Sequence, residues 1–285
     1  MKTFLDCVPC FVRQALDSVR LVTDDETIHE AVLRNVLHLA GEMDLRQSPP
    51  AMGQHIHRHI RKLTGIHDPY REIKDRFNHI AMGLLPELKK RVQNSSYPLE
   101  TAVRLAIAGN IIDFGVSSQL DESHIHDAIQ HALTAPLNGT MEEFASAVQN
   151  ARNILYLADN AGEIVFDRLL LEQLPTQKIT VVVKGSPVIN DATMIDAEMT
   201  GVTEIVDVID NGSDAPGTII DSCSESFQKR FASSDLILAK GQGNYETLSD
   251  VDKDIFFVLK AKCSVIAEHI GCSVGGLVLM RSRIE

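Results

Sequence analysis

Residues 154–199 read ILYLADNAGEIVFDRLLLEQLPTQKITVVVKGSPVINDATMIDAEM. Two short runs rich in apolar and β-branched residues, 154–158 and Ile179–Val183, each lead into a helical pattern, at 163–174 and 191–199. A strand, a helix and a second strand in succession form the unit that joins parallel strands, because parallel neighbours need a long crossover. The alternation continues outward. A strand at 204–208 is followed by a helix at 222–232, and further strands are expected at 236–239, 255–259 and 274–280. The reading is an α/β fold, a mostly parallel sheet in a three-layer arrangement.

Upstream the pattern is helical. Residues 29–37 have helical apolar spacing, with Asp24 or Asp25 as the N-cap. Residues 52–63, 69–92, 99–108 and 124–133 read the same way, punctuated by Pro49-Pro50, by Gly65 with Pro69, and by Ser95-Ser96-Tyr97-Pro98. Composition shifts near residue 145. Residues 1–145 are therefore expected to form a mainly helical part and 146–285 an α/β part carrying the chemistry, with some of the helices packed on the same sheet.

The chain has 285 residues, 27 Lys plus Arg against 39 Asp plus Glu, and a formal net charge of -12. That balance argues against nucleic acid, which requires clustered basic residues. It does not exclude a small anionic substrate, since a metal and a few lysines can reverse the local field. No apolar run approaches the roughly 20 residues of a spanning helix, so no membrane partner is expected. The opening Met1-Lys2-Thr3-Phe4-Leu5-Asp6-Cys7 lacks the apolar core of a signal peptide, which makes the cytoplasm the expected location. Five cysteines and no such signal argue against a disulfide framework.

Polar motifs follow the predicted strands directly. Asp159-Asn160-Ala161-Gly162-Glu163 closes the first; Lys184-Gly185-Ser186-Pro187 closes the second, with Asn190-Asp191-Ala192-Thr193 opening the next helix; Lys240-Gly241-Gln242-Gly243-Asn244-Tyr245-Glu246 follows 236–239. Ligands of open parallel sheets bind outside the carboxyl ends of the strands. Asp159, Asn160 and Asp191 are oxygen donors suited to a hard divalent cation. Lys184 and Lys240 can neutralise phosphate oxygens, and Gly241 and Gly243 allow backbone N–H groups to approach an anion. Singly, each feature reads as an N-cap or a solvated turn; three of them on one sheet edge point to a phosphate site.

At these residues the chain resembles the damage-control phosphatase family, formerly called domain of unknown function 89. The resemblance spans nearly the whole sequence: Cys7-Val8-Pro9-Cys10, Asp68-Pro69-Tyr70 with Lys74 and Asn78, Gly109-Asn110 with Asp113, and the three blocks above. The Cys-x-x-Cys pair is similar to the microbial branch. The resemblance implies a helical N-terminal part on a Rossmann-like α/β part. It also implies a divalent metal (Mg, Mn, Co or Ni) on Asp159, Asn160 and Asp191, which with Lys240 form the catalytic set, and Lys240 as the phosphate contact with Lys184 as a weaker match. Asn110 and Asp113 would border the pocket, and Gly241, Gly243, Asn244 and Glu246 belong to the substrate-side motif. The implied reaction is hydrolysis of small phosphate monoesters, such as sugar phosphates or damaged metabolites.

Water is preferred as the nucleophile, because the Asp159 block lacks an Asp-x-Asp pattern. Two other readings stay open at this point: a non-catalytic phosphate or nucleotide carrier, and a protein carboxyl methyltransferase. Cys7 and Cys10 form either a second metal pair, completed by Cys263, or two small packed side chains, since two thiolates are half of a closed zinc site. His55, His57 and His59 do not share a helix face and read as surface residues.

Overall fold

The computed structural model describes residues 1–110 and 122–282, the side chains of 122–125 excepted. The N-terminal helices are α1 (Cys7–Val22), α2 (Glu26–Glu42), α3 (Pro49–Thr64), α4 (Arg71–Gln93), α5 (Pro98–Gly109) and α6 (Glu122–Thr134). A two-residue strand β1 (Leu137–Asn138) and α7 (Met141–Asn150) lead into the alternating part. This part comprises β2 (Ile154–Leu157), α8 (Glu163–Leu171), β3 (Ile179–Val183), α9 (Met194–Met199), β4 (Asp207–Asp210) and α10 (Glu225–Ser233). It continues through β5 (Leu236–Lys240), α11 (Gly241–Leu248), β6 (Ile255–Lys260), α12 (Ser264–Ile270) and β7 (Leu277–Arg281).

Among the described residues seven strands form one sheet in the order β1-β7-β6-β5-β2-β3-β4. All pairings are parallel except β6 with β7. From β2 the chain moves to β3 and β4 on one side, then returns to place β5 on the other side of β2. The order therefore reverses between β2 and β5. A crevice opens at the carboxyl ends of two strands whose outgoing connections diverge, which is where ligands of such sheets bind.

Alternating side chains build the layers. Tyr156, Val181, Leu238 and Phe256 join α4, α5, α7 and α8 in the core on one face. Leu155, Val182, Ile237 and Phe257 meet α10, α11 and α12 on the other. The alternating part thus forms the three layers read from its periodicity, and α4 to α7 share the sheet's own core. Helices α1, α2 and α3 bury a separate cluster around Phe11, Val32 and Ile56. Asp214 anchors α3 to the loop after β4: it accepts from Gln54 at 2.7 Å, Arg58 at 2.8 Å and Arg61 at 2.5 Å.

Three local readings are corrected. The strand expected at 204–208 lies at Asp207–Asp210, after a 3-10 turn at Val202–Glu204. As an edge strand it tolerates the exposed Asp207 and Asp210. The last strand starts at Leu277 rather than 274, because Gly275 has a φ of 87° and cannot extend a strand. His57 is not a surface residue: it is 1% exposed, and its Nδ1 lies 2.8 Å from the Tyr70 hydroxyl. Burial holds its imidazole neutral, with a pKa pushed down to about 3.

Candidate functional site

Asp159 and Asn160 leave β2 at the order reversal. The 184–193 loop folds back to meet them as a small extension of the sheet. Lys184 pairs with Thr193 and Asn160 with Asp191 through single β-bridges. The Ala192 N–H donates to the Asp159 carbonyl at 2.8 Å and the Ala161 N–H to the Asn190 carbonyl at 2.8 Å. This ladder brings the three expected donors, 32 positions apart at the extremes, into one contiguous patch. Ile189, next to the Asn190-Asp191 pair, holds a φ of 44°, a conformation costly for a β-branched residue. Strain of this kind persists where surrounding structure over-determines the backbone, as functional sites do.

Beneath the patch lies a buried polar network. The Asn110 amide donates to Asp159 Oδ2 at 2.8 Å and to Glu163 Oε2 at 2.6 Å. Asn160 Nδ2 donates to the same two carboxylates at 2.9 and 3.0 Å. Both amides thus spend their nitrogens on acids, which directs their oxygens away from the network; Asn110 Oδ1 is buried with no hydrogen-bond partner among the described residues. Lys240 Nζ donates to Glu163 Oε1 at 2.7 Å, Asp167 Oδ1 at 2.5 Å and the Ala106 carbonyl at 3.0 Å. Tyr156 adds its hydroxyl to Asp167 at 2.8 Å. Burial raises the pKa of Asp167, against the pull of Lys240. Lys240 itself is held charged: desolvation opposes its ammonium, but the Asp167 and Glu163 charges outweigh it and raise its pKa.

Lys240 therefore does not hold the position expected of it. Its side chain is 0% exposed and its ammonium already has three acceptors, so it serves as the counterion of Glu163 and Asp167 rather than as a lysine at the open edge. The strand geometry gives the reason. Lys240 is in register with Val258 and shares a face with Leu238, the face covered by α5, and its chain turns down into that layer. Lys184 is the lysine beside the patch: its Nζ lies 3.4 Å from Asp191 and donates to the Gly217 carbonyl.

The residues after Lys240 also do other work than expected. Gly241 has a φ of 78°, and a Cβ there would fall 1.8 Å from Asp159 Oδ2, so the glycine makes room for that carboxylate. Gly243 packs beside the backbone of Gly217. Asn244, 0% exposed, donates to the Lys240 carbonyl at 2.8 Å and accepts from Thr218 at 2.7 Å, so it ties α11 to its neighbours. Glu246 lies on another face of α11, where it accepts from Gln242 at 2.8 Å and its carbonyl accepts from the N-terminal ammonium at 2.9 Å. Burial pushes its carboxyl up to about 7. Asp113 lies outside the described residues.

A second support comes from α4. Asn78 Oδ1 accepts from the Gly162 N–H at 2.7 Å, and its amide nitrogen donates to Asp196 at 2.9 Å. Asp196 also receives Arg71 at 2.6 Å, Lys74 at 3.1 Å and the Thr193 N–H at 2.9 Å. Desolvation pushes the Asp196 carboxyl up, but Lys74 and these donors prevail and hold it at about 2. Glu163, Asp167, Asn78 and Asp196 were not singled out as site residues. Glu163 stands inside the Asp159 block and Asn78 belongs to the Asp68-Pro69-Tyr70 motif of the resemblance, so both carry a signal; Asp167 and Asp196 carry none in a single sequence.

Cys7 is half-buried and Cys10 exposed on the first turn of α1. Cys263, the third donor expected for this pair, lies close enough to act on the Cys7 thiol, but among the described residues no group of three or more His, Cys, Asp or Glu side chains is placed to hold a metal. No helix among the described residues is long and apolar enough to cross a membrane.

The comparisons with known proteins agree with this architecture. The description that matches residues 3–278 is the Damage-control phosphatase ARMT1-like domain. An uncharacterized protein of Methanocaldococcus jannaschii is 38% identical over 97% of this chain and 94% of its own. A damage-control phosphatase of Archaeoglobus fulgidus is 37% identical over 95% of this chain and 96% of its own. A crystal structure of a DUF89 family protein from Pyrococcus horikoshii superposes with a TM-score of 0.89 at 32% identity, covering 99% of this chain and all of that one. With a matched span of nearly its whole length, this chain belongs to the family of the damage-control phosphatase ARMT1-like domain.

Proposed function

We propose that this protein is a divalent-metal-dependent phosphatase acting on small phosphate monoesters, with the cation held by Asp159, Asn160 and Asp191. Charge carries the reading. Four carboxylates, Asp159, Glu163, Asp167 and Asp191, meet two ammonium groups, Lys184 and Lys240, in and directly beneath the patch. Four carboxylates gathered on one short ladder and just beneath it, in a region largely shielded from water, favour a divalent cation. The donors are hard oxygens, as Mg or Mn prefer and as Co and Ni accept. The name of the Archaeoglobus relative, a damage-control phosphatase, supports the phosphatase part of this reading.

A cation bound there supplies Lewis acidity toward a phosphoryl oxygen and lowers the pKa of water. The rest falls to the chain. Asn110 and Asn160 hold the Asp159 carboxylate through two hydrogen bonds, so that it need not reorganise when substrate arrives. Glu163, pinned by Lys240, anchors both amides from below. Lys184, 4% exposed and shared between Asp191 and the Gly217 carbonyl, is the lysine that adjoins the patch and would offset phosphate charge there. The first-turn N–H groups of α11 at Gly241, Gln242 and Gly243 have no carbonyl within the helix to donate to, and a helix N-terminus favours an anion. The substrate partner is a small phosphorylated metabolite.

The test is turnover of p-nitrophenyl phosphate with and without chelator, then with Mg, Mn, Co or Ni restored. Activity should vanish with chelator, return with metal, and be absent in Asp159→Ala, Asn160→Ala and Asp191→Ala proteins that keep a wild-type circular dichroism spectrum. Undiminished turnover in the Asp191 variant removes it from the set; turnover indifferent to chelator removes the metal.

A further inference from the structure

Lys260 closes β6 at the carboxyl edge of the sheet, the edge that carries the patch. Leu157 of β2 is level with Ala239 of β5, and Ala239 with Phe257 of β6. Lys260 is therefore one residue further out than Asp159 and two strands across. At about 4.8 Å per strand, the two backbones stand roughly 10 Å apart.

Lys260 lines a cavity of about 520 Å³ together with His131, Asn138, Ser273 and Gly275. Gly275 lies alongside the side chain: a Cβ there would meet the Lys260 Cε at 3.9 Å, an ordinary contact. The lysine is half-buried, and desolvation together with the neighbouring Lys262 lowers its pKa. Every other buried or half-buried lysine among the described residues has a carboxylate or carbonyl partner: Lys74 with Asp196, Lys89 with Glu172, Lys178 with the Ala151 carbonyl, Lys184 with Asp191, Lys240 with Glu163 and Lys253 with the Ser234 carbonyl. No such partner for Lys260 is found among the described residues. In a chain with 39 acidic residues, a partly desolvated lysine with no acid beside it keeps a positive potential directed into its cavity.

The geometry points to Lys260 and its cavity as a subsite for a second anionic group, a carboxylate or a further phosphate, on the monoester whose phosphate lies at the Asp159–Asn160–Asp191 edge. The inference rests on the phosphatase reading and narrows it to doubly anionic substrates. A molecule with its two anionic groups a few bonds apart spans the interval, whereas a simple sugar phosphate engages only one end.

The experiment compares kcat/KM for p-nitrophenyl phosphate, phosphoglycerate and fructose bisphosphate in wild type, Lys260→Gln and Lys260→Arg, and follows phosphoglycerate binding to the same proteins by calorimetry. The quantity of interest is the preference, the ratio of kcat/KM for a doubly anionic substrate to that for p-nitrophenyl phosphate. It should fall by about tenfold or more in Lys260→Gln, through KM, and recover in Lys260→Arg. A fall confined to phosphoglycerate identifies a carboxylate site, and one confined to the bisphosphate a phosphate site. An unchanged ratio, or the same loss on all three substrates, overturns the subsite and leaves the phosphatase reading standing. If wild type turns over none of the three with any of the four metals, that reading fails by itself. Calorimetry then decides the subsite: weaker binding in Lys260→Gln sustains it, and equal binding overturns it.

Discussion

Replacing Lys240 with methionine keeps the length of the side chain and removes its charge, which separates a buried counterion from a phosphate-binding lysine. In the native protein the ammonium lies 2.7 Å from Glu163, 2.5 Å from Asp167 and 3.0 Å from the Ala106 carbonyl, with none of the three side chains more than 1% exposed. Its loss strands two carboxylates and a carbonyl away from water. Removing one partner of a buried ion pair costs about 3–5 kcal/mol. A lysine at an open edge would cost within about 0.5 kcal/mol. Urea unfolding at neutral pH of wild type, Lys240→Met, Asp167→Asn and the double variant measures the difference. The single lysine variant should lose about 3–5 kcal/mol, and the double variant less than the sum of the two singles, with a coupling of roughly 1.5–3 kcal/mol. The deficit should shrink as pH falls, because stranded carboxylates have raised pKa values in the folded state and protonation relieves them. A Lys240→Met protein with the wild-type m-value and a loss below about 1 kcal/mol would refute the counterion role.

Three further outcomes follow from the same geometry. Gly241→Ala forces a Cβ into Asp159 and an unfavourable positive φ, so both the unfolding midpoint and metal-dependent turnover should drop, whereas retained turnover would show that Asp159 can move without consequence. The Asp196 carboxyl, held at about 2 against an ordinary 3.8, contributes stability that is complete above about pH 4 and lost as pH falls toward 2; the contribution is about 2 kcal/mol, and Asp196→Asn should flatten the stability curve of wild type across that window. Metal analysis of wild type, the Cys7→Ala/Cys10→Ala protein and Asp159→Ala should find one metal that depends on Asp159 and none that depends on the thiols; a thiol-dependent zinc would restore the second site.

Much of this protein is written in short-range pattern. The β-branched run Ile179–Val183 is a strand with the bounds that its residues suggest, and Asp25 caps α2 by accepting from the Thr27 N–H at 2.9 Å. The residues that follow β2 and β3 collect at one edge because strand direction alone decides where a strand ends. Asp159, Asn160 and Asp191 were legible for that reason: polar residues that interrupt apolar runs at strand ends need no knowledge of the packing.

What only the tertiary structure decides is where long side chains go after they leave the backbone. Lys240 and Lys184 are alike in sequence, each a lysine before a glycine at a strand end. Lys240 is drawn under the sheet by Glu163 and Asp167, 77 and 73 residues away, and by a carbonyl 134 residues away. Lys184 stays beside Asp191. Asn78 reaches Gly162 from 84 residues away, and His57 is buried because Tyr70 and the core of α1 to α3 close over it. Periodicity reports neighbours two to four residues apart. The partners of a buried charge are set by which layers meet, and electrostatics in a dry interior makes those distant partners decisive.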